Sequence, residues 1–328
     1  MLPLLPHNRR ARRIMLDVII ALLPAVVVGV INFGVAILLP IATSVASAVF
    51  FEWAYRKFMK KPDTIGDLTA VLTGLLMAMT MPPQAPWWMP IIGTFFAIVV
   101  VKQLYGGLGK NFLNPALAGR AFLMASYAVV MGAVVVDGVT TATPLSYMKA
   151  GEMAPYSIAE MFLGMGANGP LPGCMGEVSA LALLVGGLYL IWKKVISWRI
   201  PVAFIGTVAV LTLIGGKAGY SNVDWMLYNL FAGGLFLGAF FMATDYATSP
   251  VTLNGQLLYG VGCGAITVLI RYFGGFPEGV SYAILIMNLC AWAIDKAFRR
   301  YQFGVTKEDI AAMKAAKKAA KKAEKEAV

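Results

Sequence analysis

Histidine occurs once in this chain, at His7, and cysteine three times, at Cys174, Cys263 and Cys290. With no Cys-x-x-Cys spacing and no second histidine, neither an iron–sulfur cluster nor a zinc site can be assembled from this chain alone. His7 reads as a solvated residue of the leader. Charge is scarce as well. Asp, Glu, Lys and Arg make up 13% of the 328 residues, against about 25% in soluble domains. They are missing altogether from residues 18–51, 68–101, 225–244 and 246–270. A bilayer-spanning helix needs about 20 apolar residues, so each of the first two runs holds two crossings. The scarcity of charge excludes a soluble globular domain and leaves an integral membrane protein made of helices. The first apolar segment follows "HNRRARR" without a small-residue cleavage site, so no cleaved export signal is expected.

The charge that is present is unevenly placed. The net charge is +11, yet ten of the 27 Lys and Arg lie from Lys296 onward, largely in "KKAAKKAEKEAV". Such a tail belongs in solvent or against anionic headgroups, and nucleic acid is not an expected partner. Gly, Pro and charge punctuation give ten spans, at about 14–32, 34–58, 65–81, 88–105, 115–136, 177–193, 200–216, 224–243, 254–273 and 280–299. Asn114 and Pro115 form a helix-start signal for the fifth. With the N-terminus in the cytoplasm, 24 of the 27 cations fall on the cytoplasmic side; only Lys149, Lys217 and Arg271 fall outside. The positive-inside rule therefore supports an even number of spans with both ends cytoplasmic. The loop "TDYATSPVTLNG" (244–255) is cytoplasmic but lacks Lys and Arg, so it is expected to be partly buried at the membrane surface.

The chain also echoes itself. "LMAMTMPPQAP" (76–86) is similar to "FMATDYATSPV" (241–251), and "AIVVVKQLYGG" (97–107) to "AITVLIRYFGG" (265–275). Five spans per half is odd, which inverts one half relative to the other and places irregular segments in symmetric positions. The expected architecture is an all-α polytopic protein: a basic leader (1–13), a five-helix repeat (14–136), an extracytoplasmic loop (137–176), a second repeat (177–300) and a basic tail (301–328).

The loop opens with "VVVDGVTTATPLSYM" (134–148), in which three threonines fall within four positions. A threonine hydroxyl is a poor nucleophile without a base, and the stretch supplies none, so Thr143 suits the role of substrate for another enzyme better than that of catalyst. Here the chain resembles the RnfD/NqrB family, whose members are membrane subunits of the Rnf electron-transport complex and of the sodium-pumping NADH:quinone oxidoreductase. The family's flavin-acceptor motif reads about Asp-x-x-Ser/Thr-Gly-Ala-Thr. The matching positions are Asp137, Gly138, Val139, Thr140, Thr141, Ala142 and Thr143, with Thr141 in place of the usual glycine. "GGLGKNFLNPALAGRAF" (106–122), "MATD" (242–245) and "GGFPEGVSYAILIMN" (274–288) match too, and the resemblance runs over about residues 10–300.

The resemblance implies FMN joined to Thr143 by a phosphoester, with Asp137, Gly138, Thr140 and Ala142 forming the rest of the attachment motif. It further implies a second, noncovalent flavin (riboflavin or FMN) and a flavin transferase that acts outside the cytoplasm. The partners would be the other subunits of an ion-translocating ferredoxin:NAD+ oxidoreductase, a second covalent flavoprotein among them, in a bacterial inner membrane. In this reading the chain is part of a translocase, without catalysis of its own, and its coupling ion is Na+ or H+. Ionisable residues within spans are candidates for ion handling. Asp245 leads; Asp295 and Glu52 also fit ordinary interface positions, and Asp67 a helix start. Arg120 is expected to face cytoplasmic headgroups, Trp87 and Trp88 an interfacial belt, and Glu152 and Glu160 solvent. The competing reading is a solute channel or transporter, because two inverted five-span halves also describe urea-transporter-like folds.

Overall fold

The computed structural model describes residues 7–132, 134–136, 139–167, 169–216, 219–275 and 277–298. Asp137 and Gly138 of the acceptor motif, residues 1–6 of the leader and the tail from 299 onward lie outside the described residues, as does the side chain of Thr140.

In chain order the helices are α1 (His7–Phe33), α2 (Leu38–Phe58), α3 (Thr69–Met79), α4 (Met89–Gln103), α5 (Pro115–Ser126) and α6 (Ala128–Gly132). A short antiparallel hairpin follows, β1 (Val134–Val136) on β2 (Val139–Thr141), with Val134 opposite Thr141 and Val136 opposite Val139. Beyond it come α7 (Pro144–Ala150), α8 (Ile158–Leu163), α9 (Ala180–Trp192), α10 (Arg199–Ile214), α11 (Asn222–Phe231), α12 (Leu235–Met242), α13 (Leu253–Phe273) and α14 (Val280–Phe298).

The protein is a helical membrane protein. Among the described residues, α1, α2, α13 and α14 are each long and apolar enough to cross a bilayer, and α11 with α12 makes a fifth crossing bent by 60°. The helices α3, α4, α9 and α10 are apolar but shorter. Their outward faces are greasy: Ile31 is 62% exposed, Leu39 58%, Leu188 54% and Leu289 61%. Water would penalise such faces, and lipid does not. At the helix ends Lys57 lies over Trp53, Arg199 over Trp198 and Lys296 over Trp292, the amphipathic pairing that suits a membrane interface.

Each expected span contains helix, but the boundaries moved for physical reasons. The first helix starts at His7, so the end of the leader continues it. The fifth was expected to run to 136. It breaks at Tyr127 (φ −130°, ψ 47°), resumes as α6 and stops at Gly132. Val134–Val136 then pairs as a strand, since a β-branched run beside a turn favours extended backbone. The described chain is otherwise helical, as expected, and this small hairpin is a local exception. The second half of α4 (Phe96–Gln103) and part of α12 (Gly238–Met242) are π-helical.

Asn114 caps α5 as its sequence foretold, with its side chain accepting from the Leu117 N–H at 3.3 Å and Pro115 in the first turn. Small residues bring backbones together elsewhere. A Cβ added at Gly260 would lie 2.8 Å from the Ile200 oxygen, and one at Gly264 2.9 Å from the Phe204 oxygen, so α13 lies directly on α10. Further packing joins α1 to α9, α2 to α3 and α4, α10 to α11, α13 to α14 and α5 to both α4 and α14. The core between them is rich in methionine (Met77, Met79, Met81, Met89), with Leu22, Phe204 and Tyr259 at its centre.

Candidate functional site

The hairpin delivers the chain to Thr143, which takes extended backbone (φ −68°, ψ 157°) and caps α7. Its Oγ1 accepts from the Ser146 N–H at 3.3 Å and lies 2.8 Å from the Ser146 hydroxyl. Pro144 holds the first turn, and Gly151 ends the helix in the left-handed region at φ 83°. Thr143 is half-buried and Ala142 exposed, while Pro144 and Leu145 are buried. The hydroxyl is thus held at a fixed place without being sealed off.

Thr143, Pro144, Leu145 and Ser146 form one side of a cavity of about 290 Å³. Its apolar lining includes Met124, Met131, Met161 and Phe231, and its polar wall is Arg120, Cys174, Glu177 and Glu278. Arg120 points inward. Its Nη2 pairs with Glu278 Oε2, and the two side chains are only 7% and 16% exposed. The expectation that Arg120 faces headgroups is therefore overturned: a carboxylate from the loop between α13 and α14 meets it inside the protein, which is cheaper than lipid for a guanidinium.

The cavity wall coincides with the break between α11 and α12. The Gly234 N–H donates to Glu278 Oε1 at 2.9 Å. Arg271 on α13 donates to the carbonyls of Asn229 and Ala232, which the break leaves without helical partners. Glu177 accepts from the Cys174 N–H at 2.9 Å through Oε1. Its Oε2 receives no hydrogen bond from the described residues. Both acids crowd Gly234, where an added Cβ would lie 2.8 Å from Glu177 Oε2 and 2.8 Å from Glu278 Oε1.

A second polar cluster surrounds Lys102 on the π-helical half of α4, only 3% exposed. Lys102 pairs with the fully buried Glu52 at 2.7 Å and donates to the Thr69 hydroxyl at 2.7 Å. Asp67 accepts from the Thr69 N–H at 2.8 Å, the helix-start role expected of it. Asp245 shares a smaller cavity, of about 90 Å³, with Lys102, Thr69, Asn111 and Asn114. Asp245 also accepts from Thr248 at 3.1 Å. The loop that carries it is partly buried as anticipated, with Thr248 3% exposed. Asp295 stands apart from this cavity and accepts from the N–H groups of Val251 and Thr252, the latter at 2.9 Å. Of the three ion-pathway candidates, Glu52 pairs with Lys102, which lines the same cavity as Asp245, while Asp295 anchors the start of α13.

On the loop after α7, Ser157 and Glu160 form a capping box for α8. Glu160 also accepts from the Ala167 N–H at 2.6 Å. These bonds, that from Ala167 first, hold its carboxyl below the ordinary value. Glu160 was expected merely to be solvated. Glu177, Glu278, Lys102 and Arg271 were not expected as site residues, although Lys102 and Arg271 lie in the repeated segments and Glu278 in a family-matching one. Cys174 and Cys263 are buried free thiols and Cys290 is exposed.

The model of the NQR2, RnfD, RnfE family matches residues 2–304. The chain belongs to that family. It is 50% identical over 310 residues to the D subunit of the Na+-translocating ferredoxin:NAD+ oxidoreductase complex of Acetobacterium woodii, covering 92% of this chain and 94% of that one. It is 46% identical over 319 residues to the D subunit of the proton-translocating ferredoxin:NAD+ oxidoreductase complex of Clostridium ljungdahlii (92% and 95% covered). The D subunit of the ion-translocating oxidoreductase complex of Erwinia tasmaniensis is 35% identical over 328 residues (88% and 93%). The resemblance seen around Thr143 thus extends along the whole membrane domain of an NQR2, RnfD, RnfE family member.

Proposed function

We propose that this chain is the D-type membrane subunit of an ion-translocating ferredoxin:NAD+ oxidoreductase and carries FMN in phosphoester linkage to Thr143. The observation that carries this reading is the position of the Thr143 hydroxyl. It stands half-buried on the rim of a cavity of about 290 Å³, with the Ser146 hydroxyl 2.8 Å away. Ligand pockets begin near 300 Å³, so the space behind the hydroxyl suits a flat ring system. The methionine and Phe231 walls suit its faces, and the residues present fit the group. FMN, when bound, supplies one- and two-electron chemistry. The chain's own part is to orient: Ser146 and Pro144 fix the hydroxyl, the methionines exclude water, and Arg120 and Glu278 form a polar wall. Thr140 and Ala142, with Asp137 and Gly138, would be read by the transferase.

In this proposal ten spans form two inverted halves, with both termini in the cytoplasm of a bacterial inner membrane and the Thr143 loop outside it. The packing supports that pairing. The arrangement of α2 on α3 and α4 parallels that of α10 on α11 and α13, while α1 meets α9 and α5 meets α14 across the halves. Partners are the complex's other subunits, including a second covalent flavoprotein, and a second, noncovalent flavin completes the cofactors. Asp245, with Glu52 reached through Lys102, serves coupled Na+ or H+ movement. The Acetobacterium and Clostridium relatives bear different ions in their names, so overall likeness does not select between them.

The test is a denaturing gel of protein co-expressed with the transferase. Ultraviolet light shows a fluorescent band for the unaltered chain and a dark lane for Thr143→Ala. A dark lane for the unaltered chain, or a bright one for Thr143→Ala, would overturn the assignment.

A further inference from the structure

The polar wall of the Thr143 cavity holds an atom with nothing to do. Glu177 is 8% exposed, lines the cavity, and has one oxygen, Oε2, to which no group of the described residues donates. A buried carboxylate oxygen left bare costs free energy, so something should occupy it. Its neighbour is another acid, since Glu177 Oε2 and Glu278 Oε1 both press on Gly234. The remaining groups around the pair are Arg120 from α5, Arg271 from α13, the Cys174 thiol, and the hydroxyls of Thr143 and Ser146 across the cavity. Arg120 pairs with Glu278 and Arg271 donates to the carbonyls of Asn229 and Ala232, each keeping a buried Nε–H without a partner among the described residues. Neither cation donates to Glu177. Two buried carboxyls side by side, of which Arg120 pairs with one and Arg271 is committed chiefly to backbone carbonyls, are satisfied by one shared proton.

We propose that Glu177 and Glu278 hold one proton between them and deliver it to the redox group tethered at Thr143. This rests on the flavin reading for its acceptor, but the shared proton itself does not. When the acceptor takes two electrons, one at a time in two turnovers of a reduced iron–sulfur carrier or as a pair from a reduced flavin in a neighbouring subunit, that carrier is oxidised. The O–H bond at Glu177 breaks and an N–H bond forms on the acceptor. Glu177 is left as a carboxylate beside Arg120 and Arg271, and a proton from solvent later restores it. The pair is a positioned proton donor on the wall of an electron-transfer cavity.

Infrared spectroscopy of the full chain in its complex tests this. The oxidised sample shows a protonated-carboxyl C=O band that shifts in D2O and is lost in Glu177→Gln, whose amide keeps a donor toward Glu278 and so preserves the fold. On reduction the band changes in the unaltered protein, and Glu177→Gln shows no such change. Glu177→Asp restores a band at a different frequency. A resting spectrum identical in the unaltered chain and Glu177→Gln overturns the shared proton. A Glu177 band that reduction leaves untouched overturns the delivery. A dark gel lane, by contrast, sinks only the flavin reading and leaves the resting band as expected.

Discussion

Arg120 offers the sharpest test of how the site is held together. Arg120→Met keeps the length and apolar stem of the side chain and removes the guanidinium. Among the described residues Glu278 then keeps the Gly234 N–H at 2.9 Å and its neighbour Glu177 but no paired cation, in a place where its side chain is 16% exposed, so solvent replaces little of the loss. Breaking one partner out of a buried pair typically costs about 3–5 kcal/mol. Arg271 is close enough to temper the stranded charge, which places the expectation near the lower end, about 3 kcal/mol. Arg120→Met with Glu278→Gln removes both charges and should return to within about 1 kcal/mol of the parent, because a buried pair replaced as a unit is often neutral. The assay is unfolding of the detergent-solubilised chain followed by tryptophan fluorescence, completed as a double-mutant cycle. A single substitution costing under about 1 kcal/mol, or a double variant no better than the single, would refute the inward pairing.

Four further outcomes follow from the same geometry. Gly264→Leu should push α13 off α10, since even a Cβ meets the Phe204 oxygen at 2.9 Å; the expected loss of about 1–3 kcal/mol would show as a lowered unfolding midpoint. Asp245→Asn should weaken ion-coupled turnover in reconstituted vesicles at unchanged flavin content, and unimpaired coupling would remove Asp245 from the pathway. Asp295→Ala should leave coupling intact and cost about 1–3 kcal/mol of stability, because it strips an acceptor from the Val251 and Thr252 N–H groups. Glu160 is an acid held below its ordinary value, so its contribution is fully present above about pH 4.3 and is lost as pH falls through its lower folded value. Hydrogen exchange at the Ser157 and Ala167 amides should therefore accelerate in acid, and Glu160→Gln should abolish that dependence.

Membrane character was legible in the sequence because apolar runs are local, and so was the Asn114–Pro115 start of α5. Thr143 was picked from a contiguous motif, and the fold sets its hydroxyl on the rim of a cavity. The ion pairs were not. Arg120 and Glu278 are separated by 158 positions, and nothing in local spacing shows that a loop folds back to meet a helix. The break at Gly233–Gly234 was hidden for a related reason, since apolar residues continue on either side of it and only the packing around the glycines reveals the bend. Asp295 and Asp245 looked alike because an acid at a helix end and an acid in a cavity carry the same letter. Their partners separate them, and partners are a property of the fold.

The elbow between α11 and α12 is tied by a guanidinium that belongs to a different helix. Arg271 spans the free carbonyls of Asn229 and Ala232 with a rigid planar fork, a shape lysine cannot reproduce. The angle of one segment is therefore written in the sequence of another. A chimera that borrows α13 from a distant relative must bring that relative's α11 with it, or the two ends of the splint will no longer meet.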